Sequence, residues 1–170
     1  MAVTSDIVAT WRRPRQVMRR HLAAGVREDR AFVFLMLACG LIFVAQWPRL
    51  AREAHLSEEV PLDALLGGSL MGWLFIAPLA LYFIGAVTHI VAHLMGGRGT
   101  WYSARLALFW ALLAASPLWL LNGLVAGFVG PGPELKLTGF IGLAAFVTIW
   151  LLCLFEAERP GNLEPRQGAE

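Results

Sequence analysis

Four long apolar stretches, separated by short polar connections, occupy nearly all of the chain between Ala31 and Phe155. The middle of each stretch lacks Asp, Glu, Lys and Arg, and the whole chain is 58% hydrophobic and 15% charged, a balance typical of membrane proteins. A helix needs about 20 mostly apolar residues to cross a bilayer. Because the stretches also lack the alternating pattern of barrel strands, the sequence predicts an all-α integral membrane protein with four transmembrane helices.

The predicted spans cover residues 31–47, 68–95, 104–129 and 137–155, with a basic segment at 1–30 and a polar tail at 156–170. The first span is short and ends at Pro48-Arg49. The second stretch begins near Leu65, so it tilts, kinks near Pro78, or extends beyond the bilayer. The third stretch carries Pro117 near its middle, which favours a kinked single helix over two half-helices in a re-entrant hairpin. Pro78 and Pro117 are therefore candidate hinges.

Positive residues lie mostly on one side of this topology. Of the 14 lysines and arginines, eleven lie before the first span, between the second and third spans, at the start of the third span, or in the tail, and three lie in the other two loops. The positive-inside rule therefore predicts that both termini are cytoplasmic. The first thirty residues lack the apolar core of a signal peptide, and the first apolar stretch lacks a small-residue cleavage site, so we expect that stretch to be retained as a helix. The arginine-rich, lysine-poor composition favours a bacterial inner membrane.

The N-terminal segment has an amphipathic pattern over residues 7–22. Six residues share one helical face: Ile7, Trp11, Pro14, Val17, Met18 and Leu22. The opposite face carries five arginines: Arg12, Arg13, Arg15, Arg19 and Arg20. Because proline disfavours helix at the preceding residue, the continuous helix is expected to begin at Pro14.

This pattern predicts an interfacial helix, with Trp11 and the five arginines at the lipid headgroups. Each arginine there contributes about 1 kcal/mol of attraction to anionic lipids. Alternatively, the charges serve only to set the topology. Nucleic acid is not an expected partner, because the membrane surface offers the nearer anions.

Small and polar residues follow one face of the second stretch, and a GxxxG spacing ends the third. Small residues let helices approach closely, so we predict that nine positions pack helices together: Gly68, Gly85, His89, His93, Gly96, Gly97, Asn122, Gly123 and Gly127. His89 and His93 are four residues apart and project from the same side, which makes a metal or haem site an alternative. No carboxylate or cysteine is obviously placed to complete such a site, so no cofactor is expected.

No catalytic pattern stands out in the sequence. Ion-coupled transporters and proton relays normally need charged groups inside the membrane, and the middles of these stretches have none. The glycine-rich Gly96-Gly97-Arg98-Gly99 follows a helix and lacks the lysine of a phosphate-binding loop. There is also no recognisable nucleophile–base pair, so we do not expect an enzyme and identify no small-molecule substrate.

Two segments resemble the Yip-domain family of Ypt/Rab-interacting membrane proteins and its bacterial branch: residues 93–117 (HLMGGRGTWYSARLALFWALLAASP) and residues 13–23 (RPRQVMRRHLA). In that family an apolar helix often ends in a Gly-Gly-basic-Gly turn, and a helix with a mid-membrane proline follows. This chain departs from the family in having four expected spans instead of five. It also lacks the Asp-Leu-Tyr-Gly-Pro motif of the trafficking members, which puts Rab binding in doubt.

The resemblance implies a small non-enzymatic protein that organises or accompanies other membrane components. We therefore expect a scaffold or accessory subunit that packs against membrane lipids, partner membrane proteins or further copies of itself. One alternative is a transporter or channel component for a neutral or lipid-like substrate, with the two prolines as hinges. The other is a membrane protein that binds metal or haem at the histidine pair.

Overall fold

The computed structural model describes residues 3–56 and 60–159, and every regular element in these ranges is helical. The elements in chain order are α1 (Val3–Arg12), α2 (Pro14–Ala23), α3 (Glu28–Leu56), α4 (Leu62–Met71), a π-helical turn (Gly72–Ile76), α5 (Ala77–Leu94), α6 (Trp101–Ala114), α7 (Ser116–Phe128) and α8 (Pro133–Ala157). The all-α class expected from the sequence is confirmed. The part of the predicted polar tail from residue 160 onward lies outside the described residues.

Three helices are long and apolar enough to cross a membrane: α3, the continuous helix from α4 through α5, and α8. A fourth crossing results if α6 and α7, whose axes meet at 44°, form one broken span. This set of apolar helices is compatible with a multi-pass membrane protein.

Prolines alter the apolar helices in three different ways. α3 continues through Pro48 to Leu56, past the end expected at Pro48-Arg49, because a proline removes one hydrogen bond without unfolding the turns on either side. Before Pro78 the backbone widens into the π-helical turn, where Ala77 N–H bonds to Gly72 O. Such turns are a common cause of helix irregularity. Just before Pro117 the helix is interrupted, since α6 ends at Ala114 and α7 begins at Ser116.

Helix α6 forms the core of the bundle. Twelve of its 14 residues are buried, because α1, α3, α5 and α8 all pack against it. A helix that is apolar on all sides is expected to be enclosed in this way. Its N-terminus is closed by a capping box, in which Thr100 Oγ1 accepts from Ser103 N–H and Ser103 Oγ accepts from Thr100 N–H.

The N-terminal segment forms two helices that pack on the bundle. Arg13 adopts a non-helical backbone conformation between them, and α2 begins at Pro14. On the apolar face of α2, Val17 and Met18 are fully buried against protein, whereas the sequence pattern predicted that this face would lie in lipid. Helical periodicity identifies an apolar face, but a lipid surface and a groove between helices require the same pattern.

Candidate functional site

Two of the five arginines predicted at the membrane surface are ion-paired within the chain. Arg19 Nε donates to Glu156 Oε1 of α8, and Arg20 Nη2 donates to Asp6 Oδ1 of α1 across 3.0 Å. Glu156 is 1% exposed, and a buried carboxylate is strongly destabilising without a cation beside it. The other three side chains are exposed: Arg12, Arg13 and Arg15. The arginines thus divide into a pair that fastens α1 and α2 and a set that faces outward.

Two indole groups also connect the N-terminal helices to α6. Trp11 Nε1 donates to Ala114 O, 3.1 Å away, and this carbonyl belongs to the last turn of α6, where helical partners run out. Trp110 Nε1 donates to Thr10 Oγ1 across 3.1 Å, and that hydroxyl donates to the Asp6 carbonyl across 2.7 Å. Trp11, predicted at the headgroups, therefore also closes the end of a core helix.

His21 of α2 lies among aromatic rings at the same contact. Its ring centroid is 4.3 Å from that of Trp110 and 5.4 Å from that of Phe34. Burial, reinforced by the positive charge of Arg30, lowers the pKa of His21 from 6.5 to about 4. The imidazole is therefore neutral at pH 7 and stays neutral at pH values at which a free histidine is protonated.

The two histidines of α5 lie beside the α5–α6 loop. His89 is buried, with its ring centroid 4.5 Å from Trp101 and 6.2 Å from His93. Its Nδ1 lies 3.7 Å from Glu158 Oε1, too far for a hydrogen bond. His93 is exposed. The described parts of the chain contain no group of three His, Cys, Asp or Glu side chains that could hold a metal ion. Within these residues, His89 and His93 therefore have no third side chain that could complete a metal site.

Glycines in the α5–α6 loop make room for the Glu158 carboxylate. Gly99 N–H donates to Glu158 Oε2 across 2.7 Å, and a Cβ on Gly97 or Gly99 would lie 2.5 Å from a carboxylate oxygen. Gly96 has a φ of +90°, a conformation that favours glycine. Gly97, predicted to pack helices, thus lies against the end of α8, whereas Gly96, predicted to do the same, only forms the turn after α5, where a Cβ would meet nothing within 4 Å.

Three of the other predicted packing glycines meet neighbours within the chain. A Cβ on Gly123 would lie 1.9 Å from Ala45 O, and a Cβ on Gly127 would lie 2.3 Å from Pro48 Cβ. A Cβ on Gly85 would lie 2.9 Å from Arg105 Cγ. The structure therefore places the GxxxG pair of α7 directly against α3, the closest helix contact that glycine makes in the described chain.

The remaining packing positions have different surroundings. Asn122 Oδ1 accepts a hydrogen bond from Thr138 Oγ1 of α8 across 2.9 Å. Gly68 has no atom within 4 Å of the position where a Cβ would lie, and Gly67 and Gly72 are equally open. Helix α4 and the π-helical turn bury no residue. Gly68 therefore belongs to a face of the bundle that no part of the described chain covers.

A cavity of about 300 Å³ lies beside the contact between α3 and α7, and we refer to it as the α3–α7 cavity. One wall follows a single face of α3 from Ile42 through Gln46 to Arg49. These residues extend over about 10 Å at 1.5 Å per residue. The volume is at the lower end of the range that small-molecule sites occupy.

The opposite wall is formed by residues of the π-helical turn and by residues on either side of the break between α6 and α7. Trp73 belongs to the π-helical turn, Leu112 lies in the last turn of α6, and Trp119 lies in the first turn of α7. Asn122 and Ala126 continue the wall along α7. A second cavity of about 420 Å³ is also lined by Arg49 and Ala126, and it reaches the charged residues Arg52 and Glu53. The site is thus apolar at one end and charged at the other.

Comparisons with models of protein families, with curated proteins and with solved structures find no match. The class that the fold defines is an all-helical protein with three helices, or four, that are able to cross a membrane. The resemblance to the Yip-domain family stays a prediction.

Proposed function

We propose that this protein is a non-enzymatic integral membrane protein that acts as a scaffold or accessory subunit. In this proposal it lies in a bacterial inner membrane with four spans and both termini in the cytoplasm. It packs against partner membrane proteins or copies of itself through an uncovered helix face, while Arg12, Arg13 and Arg15 lie at the lipid headgroups. A bacterial relative of the Yip-domain family would fit this role.

The observation that supports a partner-binding role is the open glycine face of α4 and the π-helical turn. Gly68 and Gly72 are four residues apart and lie on the same side of the helix. Neither has an atom within 4 Å of a Cβ position, whereas Gly123 and Gly127 contact α3. Small residues on a membrane helix allow a second helix to approach closely, so this face suits a helix from another polypeptide.

Substitution of the open glycines tests the role. The protein is extracted into native nanodiscs, and the intact complex is weighed and its components identified. We expect Gly68→Leu and Gly72→Leu to remove a stoichiometric partner or to reduce a homo-oligomer to a monomer. Gly40→Leu on α3 is the matched control, because a Cβ there also meets nothing within 4 Å. A wild-type protein that is monomeric and carries no partner would exclude the proposed role.

The direction of α6 and α7 supports the four-span arrangement. Arg105 near the start of α6 bonds to Glu28 at the start of α3 across 2.6 Å. Gly123 and then Gly127 of α7 meet Ala45 and then Pro48 of α3. The bent pair therefore runs beside α3 in the same direction, as the third span does in a bundle whose helices alternate in direction.

Reporter insertions test this topology. A reporter placed between α5 and α6 is expected on the cytoplasmic side, and one placed between α7 and α8 on the opposite side. If both reporters are found on the same side, α6 and α7 form a re-entrant hairpin and the four-span proposal is wrong.

One observation favours the transport alternative. The π-helical turn and the break between α6 and α7 both border the α3–α7 cavity. Trp73 lies in the π-helical turn that precedes Pro78, and Leu112 and Trp119 lie on either side of the break at Ala115. A change in either bend would reshape the cavity, as hinges do in proteins that move a substrate. Liposome flux of a lipid-like substrate that falls in Pro78→Ala and Pro117→Ala would support transport, and no flux from the wild type would exclude it.

A further inference from the structure

We propose that the α3–α7 cavity binds the phosphate and glycerol region of one phospholipid, with the phosphate beside Arg49 and the first carbons of one acyl chain directed toward Ile42 and Leu112. This inference names phospholipid as the substrate class of the transport alternative. Movement of the lipid rests on that alternative, whereas binding of the lipid does not. Binding requires only that the cavity faces the membrane. Retention of a lipid and movement of a lipid are separate measurements, so either can fail while the other succeeds.

The polarity of the cavity changes along its length as a phospholipid does. Gly123 contacts Ala45, and its neighbour Asn122 lines the cavity together with Gln46, which lies one turn from Arg49. Trp119 lies one turn further in, beside the buried Ile42. A ligand would therefore meet a cation first, then two amides, and then an apolar end. This order matches a phosphate, the ester groups and an acyl chain.

A buried donor in the wall adds a second, independent observation. Trp119 Nε1 is buried and has no hydrogen-bond partner within the described chain. Cε3 and Cζ3, on the benzene side of its ring, lie nearest Gly142 of α8, and Trp119 itself lines the cavity. Buried N–H groups normally have an acceptor, and an ester or glycerol oxygen of a lipid in the cavity would supply one.

The charges at the open end favour a phosphate. Arg52 Nη1 donates to the Gly127 and Phe128 carbonyls across 3.2 and 3.4 Å, so this guanidinium is held at the end of α7. Arg49 is exposed and lines both cavities. Glu53 lines the second cavity too and opposes an anion at that end. The phosphate is therefore assigned to Arg49. Arg49 lies one helical turn from Gln46, which lines the α3–α7 cavity.

Retention of lipid in nanodiscs tests the assignment. The full chain is reconstituted in nanodiscs that contain phosphatidylglycerol or diacylglycerol, released into detergent and weighed intact. We expect one phosphatidylglycerol on the wild type, little diacylglycerol, and a loss of affinity of about tenfold or more in Arg49→Gln, the effect of one charge-assisted hydrogen bond. Lys136→Gln, a cation on the adjoining helix that does not line the cavity, is the matched control and should retain the lipid.

Two outcomes of the retention experiment overturn the proposal. One is equal retention by Arg49→Gln and Lys136→Gln, and the other is equal retention of the two lipids by the wild type. In case Arg49→Gln does not fold, phosphatidylglycerol with brominated chains provides a second measurement on other variants. Quenching of tryptophan fluorescence should decrease in both Trp73→Phe and Trp119→Phe, and unchanged quenching in both would also overturn the proposal. If the cavity held only an adventitious detergent molecule, the mass added to the protein would be the same with phosphatidylglycerol and with diacylglycerol, and the proposal would be wrong.

Discussion

Substitution of Gly123 by alanine gives the sharpest test of the contact between α3 and α7. The added Cβ would lie 1.9 Å from Ala45 O, whereas ordinary contact begins at 3.4 Å. The clashing atom belongs to backbone, so a side-chain rotation cannot relieve it and the two helices must separate. Overpacking of this kind costs about 1–3 kcal/mol, and the separation also removes the close packing that small residues permit. We therefore expect Gly123→Ala to lower the free energy of unfolding by at least that amount.

Unfolding in mixed micelles with increasing SDS measures this effect. Gly142→Ala is the matched control, because its Cβ would lie 3.7 Å from Leu118 Cβ, an ordinary contact. Alanine is also a better helix former than glycine by about 1 kcal/mol, so the control should be neutral or stabilising. If Gly123→Ala unfolds at the same SDS fraction as Gly142→Ala, the close approach of α7 to α3 is not present in the protein.

Three further predictions concern the N-terminal helices and the cysteines. Arg19→Gln removes the ion pair with α8, so limited proteolysis should cut α2 faster than in the wild type, whereas Arg15→Gln, at an exposed position, should leave the rate unchanged. Because the pKa of His21 falls from 6.5 to about 4 on folding, the unfolded state binds more protons in that window. Stability should therefore decrease by about 1–3 kcal/mol as pH falls from 6.5 to 4, and His21→Phe should abolish this part of the pH dependence of unfolding. Cys39 and Cys153 are both free and fully buried, so each should react with maleimide only after unfolding, and rapid labelling of the folded protein would contradict the packing of α3 and α8.

The helical class could be predicted because its causes lie within each segment. A continuous apolar stretch in lipid must satisfy its backbone hydrogen bonds internally, and a helix does so without reference to the rest of the chain. The irregularities near Pro78 and Pro117 have equally local causes, because proline has no N–H and disturbs the turn before it. The size of each disturbance was less predictable, since Pro48 lies inside a continuous helix and Pro117 begins a new one.

The contacts of the N-terminal segment could not be predicted in the same way. Thr10 and Trp110 are hydrogen-bonded, and Arg19 pairs with Glu156, although the two pairs are 100 and 137 residues apart in the chain. The sequence predicts that Glu156 is the first residue of a polar tail, because a charge at the end of an apolar stretch usually faces water. Only the position of α2 against α8 turns it into a buried acid with a cation beside it.

By itself, the sequence determined that this chain forms apolar helices, because the length and hydropathy of a segment are local properties that decide its structure in lipid. It also marked the glycines at which close approach is possible. Only the tertiary structure decided which of them are used, with Gly123 against α3 and Gly68 uncovered. It alone placed α6 at the centre and left a cavity from Ile42 to Arg49. Packing between distant helices depends on three-dimensional shape, and a linear pattern of apolar and polar residues carries no record of which faces meet.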